Sequence, residues 1–139
     1  MTTQAVTADR VKEALESLGQ QPETALQALG QMYADGVTFE DPLQKLQGKP
    51  AVMAMNRRLL QRYRTLRFHV AQAFQSGDQI FLTWTMQMCA STQFEGSTHL
   101  QLQDGLIVRH RDYWDLLGGF VDSIPVARVL YHAILKRFA

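Results

Sequence analysis

The sequence is poor in the residues that build covalent crosslinks and metal sites. Its 139 residues include a single cysteine, Cys89, so neither an internal disulfide nor a thiolate metal site can form within the chain. The four histidines are scattered and have no spacing suited to a metal ion. We therefore expect no metal, and the lack of disulfide partners favours a reducing compartment.

Charge and long apolar runs are also scarce. Charged residues make up 19% of the chain and its formal net charge is +1, so no global attraction to nucleic acid or to an anionic membrane is expected. No apolar run approaches the roughly 18 residues that span a bilayer. The polar start of the chain also lacks the pattern of a signal peptide, which favours a cytoplasmic location.

What the chain does contain is an alternation of hydrophobic periods typical of a small α+β domain. Apolar residues at helical spacing predict a first helix between Thr7 and Gly19, a second from Pro22 to the break at Asp35, and a third that begins at Pro50. Residues 37–41 predict a short strand, and residues 43–50 a loop. An apolar tail predicts a further helix over residues 125–138, which we expect to cover a cavity or a dimer contact.

From Arg67 the hydrophobic period changes to two. It predicts strands over residues 67–75, 79–89, 94–103 and 106–115, with tight antiparallel turns at Gly77 and at Asp104-Gly105. Residues 1–139 are thus expected to form one domain, in which a curved, mostly antiparallel, cone-shaped sheet packs on three N-terminal helices and a C-terminal helix follows. The mouth of such a cone is a natural ligand site.

Alternation also predicts which side chains point into the cone. The inward sets of the last three strands are Ile80, Leu82, Trp84, Met86 and Met88; Thr98, Leu100 and Leu102; and Val108, His110, Asp112 and Trp114. The last set places an imidazole and a carboxylate side by side in apolar surroundings, where they could exchange a proton with a ligand. The alternative is that His110 and Asp112 satisfy each other, or pair with an arginine, in a purely structural contact.

Two segments resemble a known superfamily. The segment from Met32 to Pro42, MYADGVTFEDP, resembles the helix-to-strand corner of steroid delta-isomerases, and the ending DGLIVRHRDYWD, from Asp104, resembles the last hairpin of the nuclear transport factor 2-like superfamily. That superfamily includes SnoaL-like polyketide cyclases and limonene epoxide hydrolase, so the resemblance implies the fold more firmly than the reaction. It places Asp41 on the isomerase's catalytic base, whereas the residues alone favour Asp41 as a cap of the turn at Pro42.

The chain departs from two of these relatives in their catalytic residues. Its first predicted helix lacks the tyrosine that stabilises the enolate in steroid isomerases, and Thr98 stands where their sheet acid is expected, so that isomerisation is not expected here. Of the Asp-Arg-Asp cluster of limonene epoxide hydrolase, the chain offers Asp112 alone. The resemblance to SnoaL-type cyclases implies a single aspartate as acid and base, a role open to Asp112.

Two hypotheses follow for the function. The first is an acid/base enzyme without a cofactor, of isomerase, cyclase or hydrolase type, with Asp112, His110 and Asp41 as catalytic residues. The second is a binding or assembly module that uses the same cone without catalysis. In both, the partner is a small, largely apolar molecule, contacted by Tyr33, Met55, Leu59, Trp84, Met86, Thr98 and Trp114.

Two surfaces are given simpler interpretations. Arginines 57, 58, 62, 64 and 67 form a basic face without aromatic residues for base stacking, which is typical of a solvated surface. The outer face of the sheet is polar enough to be exposed, and the resemblance to the superfamily implies a homodimer through it. That face carries Phe81, Thr83, Thr85, His99 and Arg109.

Overall fold

The computed structural model describes residues 4–121 and 124–139. The polar start of the chain, residues 1–3, therefore lies outside the described residues. The helices are α1 (Ala8–Ser17), α2 (Pro22–Met32), α3 (Lys49–Arg62), α4 (Leu116–Val121) and α5 (Pro125–Lys136). The strands are β1 (Tyr33–Glu40), β2 (Lys45–Gln47), β3 (Arg67–Ser76), β4 (Gln79–Cys89), β5 (Thr92–Gln103) and β6 (Leu106–Trp114).

The six strands form one curved, unclosed sheet in the order β2-β1-β6-β5-β4-β3. All neighbouring strands pair antiparallel except β1 and β6, which run parallel with Phe39 opposite His110. Helices α1, α2 and α3 pack on the concave side, against one another and against β1, β3 and β4. The α+β cone predicted from the sequence is confirmed, and the bounds of its four long strands agree within two residues.

The structure differs from the predicted elements in three places. Strand β1 begins at Tyr33 instead of residue 37, β2 lies in the segment predicted as a loop, and α4 was not predicted. Asp35-Gly36 was predicted to break the second helix, and α2 does end before it, at Met32. The strand that follows is paired with both of its neighbours over residues 38–40, and its register against β6 shifts between Tyr33 and Thr38. Its early start follows from the pairing of Tyr33 with Ile107 of β6, a contact that local sequence patterns do not report.

The predicted inward face of β6 is wrong at its first position. Ile107 is buried at 1% exposure, whereas Val108 is only partly buried. The cause is a register shift, since Gln101 pairs with Arg109 but Leu102 pairs with Ile107. Val108 is the extra residue, so the inward face of β6 alternates differently on its two sides. Ile107 faces inward before it, and His110 and the later residues face as predicted.

Helix α5 differs from the other helices because none of its side chains is buried. It packs mainly against α4, and the Tyr131 hydroxyl donates a hydrogen bond to Asp115 Oδ2 at 3.2 Å. Its apolar residues, which are Val126, Val129, Leu130, Ile134 and Leu135, are at least 45% exposed. Among residues 4–121 and 124–139, no helix is long and apolar enough to cross a membrane.

Candidate functional site

A cavity of about 560 Å³ opens between α3 and the concave face of the sheet. Its size lies within the range of small-molecule sites in proteins. All ten residues that the sequence predicted for the site line it: Tyr33, Asp41, Met55, Leu59, Trp84, Met86, Thr98, His110, Asp112 and Trp114. A second, shallower groove adjoins the cavity at its rim, between the end of β1 and β6, and shares Asp41 and Asp112 with it.

A continuous chain of hydrogen bonds crosses the floor of the cavity. The Tyr33 hydroxyl and His110 Nδ1 are 2.8 Å apart, and His110 Nε2 is 2.8 Å from Asp112 Oδ1. On the other side, Trp84 Nε1 donates to Thr98 Oγ1 at 2.8 Å, and Thr98 Oγ1 donates to Asp112 Oδ1 at 2.5 Å. Residues from β1 and β4 are thus linked, through His110 of β6 and Thr98 of β5, to one carboxylate oxygen.

The tyrosine at one end of the network is a buried hydrogen-bond donor. Burial raises the pKa of Tyr33 far above its ordinary value, and the negative charge of Asp112 adds to the effect, so the hydroxyl keeps its proton. That buried hydroxyl needs an acceptor, which His110 Nδ1 supplies only when it is unprotonated. In the tautomer in which Nδ1 accepts from Tyr33, the Nε2–H group donates a hydrogen bond to Asp112 Oδ1.

The second carboxylate oxygen of Asp112, Oδ2, accepts no hydrogen bond from the described residues. Within the described chain no buried side-chain nitrogen or oxygen lacks a partner. Oδ2 is consequently accessible, in agreement with a side chain that is 19% exposed and lines the cavity. A carboxylate with one oxygen anchored and the other free can accept a proton from a bound molecule or from water.

The indole of Trp84 is held flat against the neighbouring strand. It stands opposite Gly96 on β5, where a β-carbon would come within 2.5 Å of the ring. The ring of Phe68 meets it edge-on, with 5.4 Å between centroids. Since only glycine leaves room for the ring, Gly96 sets the position of Trp84, and through it that of Thr98.

Asp41 lies at the rim of the cavity, just after β1. Its Oδ1 accepts hydrogen bonds from the backbone N–H groups of Leu43 and Gln44, at 2.8 and 3.0 Å. This is the turn-capping arrangement that the residues alone favoured. Asp41 nevertheless lines the same cavity as Asp112, so a second carboxylate is available at its entrance.

Sequence reasoning missed part of the cavity wall. Four further aromatic residues line it, namely Phe39, Phe68 and Phe94 from strands and Tyr63 just after α3. Phe39 lies against His110 with 4.8 Å between ring centroids. Arg58 and Arg62 of α3 line it as well, although the sequence analysis assigned them to a solvated face. The inward alternation of Val37 and Phe39 in β1 was a usable signal for Phe39, whereas nothing in the sequence separated these two arginines from their neighbours.

The described part of the chain brings together no group of three or more His, Cys, Asp or Glu side chains that could hold a metal ion. The polar groups of the cavity are instead connected to one another.

Comparison with known proteins agrees with this architecture. The SnoaL-like domain family matches residues 11–110 of the sequence. No curated protein matches it.

Similar solved structures include a nuclear transport factor 2-like protein of unknown function from Cytophaga hutchinsonii, with 22% identity over 83% of this chain and 95% of that one, at a TM-score of 0.66. An epoxide hydrolase from M. tuberculosis, described as LEH-like, shares 20% identity over 88% and 97%, at 0.63. A protein with a ketosteroid isomerase-like fold from Catenulispora acidiphila, in complex with trimethylamine, shares 17% over 84% and 94%, at 0.67. At these identities the likeness establishes the fold alone.

Proposed function

Since the chain belongs to the SnoaL-like domain family, within the nuclear transport factor 2-like superfamily, we propose that its cone binds a small, largely apolar molecule and catalyses acid–base chemistry on it without a cofactor. Asp112 is the principal acid/base, His110 is its partner, and Asp41 is a second carboxylate at the entrance. The observation that carries this proposal is the accessible Oδ2 of Asp112, with Oδ1 anchored by His110 and Thr98.

In the proposed reaction Asp112 Oδ2 removes a proton from an activated C–H group of the bound molecule, or from a water molecule beside it. The electron pair of the broken bond stays on the substrate, and the proton returns from Oδ2 to another atom of the same substrate. His110 keeps its hydrogen bond to Oδ1 throughout and so holds the carboxylate in one orientation. The apolar walls keep water from competing for Oδ2. Such a cycle covers isomerisation and cyclisation, and attack by an activated water covers hydrolysis.

The test uses 2-tetralone, an apolar ketone with an acidic C–H group, dissolved in D₂O. Proton NMR follows the exchange of that hydrogen for deuterium with and without the protein. We expect Asp112→Asn to slow protein-catalysed exchange by about 10²–10⁴-fold, the usual worth of a general base. Asp35→Asn is the matched control, because Asp35 is exposed, pairs with Lys49 at 3.6 Å and does not line the cavity.

A specific observation favours the alternative of a non-catalytic binding module. The buried donors at the two ends of the network, the Tyr33 hydroxyl and the Trp84 indole N–H, are already hydrogen-bonded within the protein. Neither is free to stabilise an oxyanion, which in enzymes is worth a few kcal/mol per donor. If 2-tetralone quenches tryptophan fluorescence but exchanges no faster than in Asp112→Asn, the binding module is the better description.

We also propose a homodimer in the cytoplasm, formed through the outer face of the sheet. Phe74 and Phe81 are directly opposed on β3 and β4 and are 61% and 50% exposed. Phe81 also stacks on His99, with 4.3 Å between ring centroids. Sedimentation should give a dimer for the wild type and a monomer for Phe81→Glu; a wild-type monomer at high concentration contradicts this assembly.

A further inference from the structure

The cavity carries positive charge on its helical side. Arg58 and Arg62 are four residues apart on α3, so they lie on the same side of the helix, and both line the cavity. We propose that the molecule bound in the cone is an apolar monocarboxylate, and that these two arginines hold its carboxylate at the mouth. The inference rests on the proposed function, because it concerns the ligand of the same site.

Neither arginine is neutralised within the described protein. Ion pairs occupy Lys12, Lys45, Lys49 and Arg111, whereas no carboxylate of the described residues lies within 4.0 Å of Arg58 or Arg62. The guanidinium of Arg62 lies 5.6 Å from the centroid of the Tyr63 ring, which also lines the cavity. A guanidinium is the side chain best suited to bind a carboxylate through two parallel hydrogen bonds.

The negative charges of the cavity lie on its other side. Asp41 and Asp112 belong to the strand side, and each has one oxygen held by protein donors. An anionic ligand is repelled from that side and attracted to α3, so its carboxylate is directed toward the mouth. The apolar part of the ligand then fills the interior, among side chains such as Leu59, Trp84 and Met86, and reaches Asp112.

The charge balance also restricts the ligand class. A neutral apolar molecule leaves both arginines with water alone, and a cation is repelled by them while it is attracted to Asp41 and Asp112. Both arginines are exposed, so each contributes as a screened surface charge and not as a buried one. We expect their combined effect to be about tenfold in affinity, or about 1.4 kcal/mol.

The experiment compares decanoate with 1-decanol and with decyltrimethylammonium, which differ in their head groups. Both tryptophans of the chain line the cavity, so the quenching of their fluorescence reports binding directly. For the wild type we expect decanoate to bind about tenfold more tightly than 1-decanol, and the ammonium compound to bind weakest. The Arg58→Ala/Arg62→Ala variant should lose this preference while its affinity for 1-decanol stays within about twofold.

A second double variant separates local contact from general charge. Arg57→Ala/Arg64→Ala removes the same net charge from the same helical region, at exposed positions that do not line the cavity. It should keep the preference for decanoate. Equal binding of decanoate and 1-decanol by the wild type, or equal losses in the two double variants, would overturn the assignment of the carboxylate while leaving a binding cavity. If none of the three probes binds, this inference fails, and the exchange of 2-tetralone decides the proposed function separately.

Discussion

Thr98 is the residue on which the hydrogen-bonded network depends, and Thr98→Val is its sharpest test. The side chain is 2% exposed, and valine has nearly the same shape. The substitution removes only the hydroxyl, which accepts from Trp84 Nε1 and donates to Asp112 Oδ1. Any large effect must therefore come from these two hydrogen bonds.

The size of the effect follows from what each partner loses. Trp84 is 4% exposed, so its N–H is left buried without an acceptor, at about 1–3 kcal/mol. Asp112 keeps His110 and is 19% exposed, so water replaces part of the lost bond. We expect a total destabilisation of about 2–4 kcal/mol, which for a domain of this size lowers Tm by about 7–14 °C.

The assay is thermal unfolding followed by circular dichroism, with two companion variants. Thr98→Ser retains the hydroxyl and loses only a methyl group, so its Tm should fall by much less. Thr83→Val makes the same chemical change at an exposed position on the outer side of β4 and should alter stability by no more than about 0.5 kcal/mol. A Thr98→Val protein as stable as the wild type, or a Thr98→Ser protein equally destabilised, refutes the bridging role of the hydroxyl.

Three further predictions concern other parts of the chain. Gly96→Ala places a β-carbon against the Trp84 ring and should lower the free energy of unfolding, measured in urea, by about 1–3 kcal/mol. Gly36→Ala is the control and should be nearly neutral, because a β-carbon there has no atom within 4 Å. Equal effects of the two substitutions would contradict the close approach of Gly96 to the ring. Hydrogen bonds from Thr92 and Ser91 lower the pKa of the Cys89 thiol to about 7. The rate of its alkylation by iodoacetamide should therefore be half-maximal near pH 7 and reach a plateau at higher pH. The midpoint should move to higher pH in Ser91→Ala, and an unchanged midpoint would exclude a contribution from the serine. Removal of residues 124–139 should change Tm by less than about 3 °C because α5 buries no side chain, and a much larger fall would mean that the helix is packed in solution.

The candidate site was predictable to the extent that it depends on strand alternation. Trp84, Met86 and Thr98 were placed on the concave face because side chains two apart share one face of a strand. His110 and Asp112 were placed beside each other for the same reason. The walls contributed by Phe39, Phe68 and Phe94 were missed, because no inward face was predicted for β1 and β3, and the one predicted for β5 began at Thr98.

The sequence by itself determined the elements and their order except for β2 and α4, because helix and strand patterns report burial along one short segment of chain. Only the tertiary structure decided how distant segments meet. The Tyr33 hydroxyl reaches His110, 77 positions away, because β1 pairs parallel to β6, and the face presented by β6 depends on a register shift against β5. The position of Arg58 and Arg62 at the cavity likewise depends on how α3 packs over β1. Which remote residues pair or pack together cannot be read from the hydrophobic period of either segment. These contacts are therefore determined by the tertiary structure.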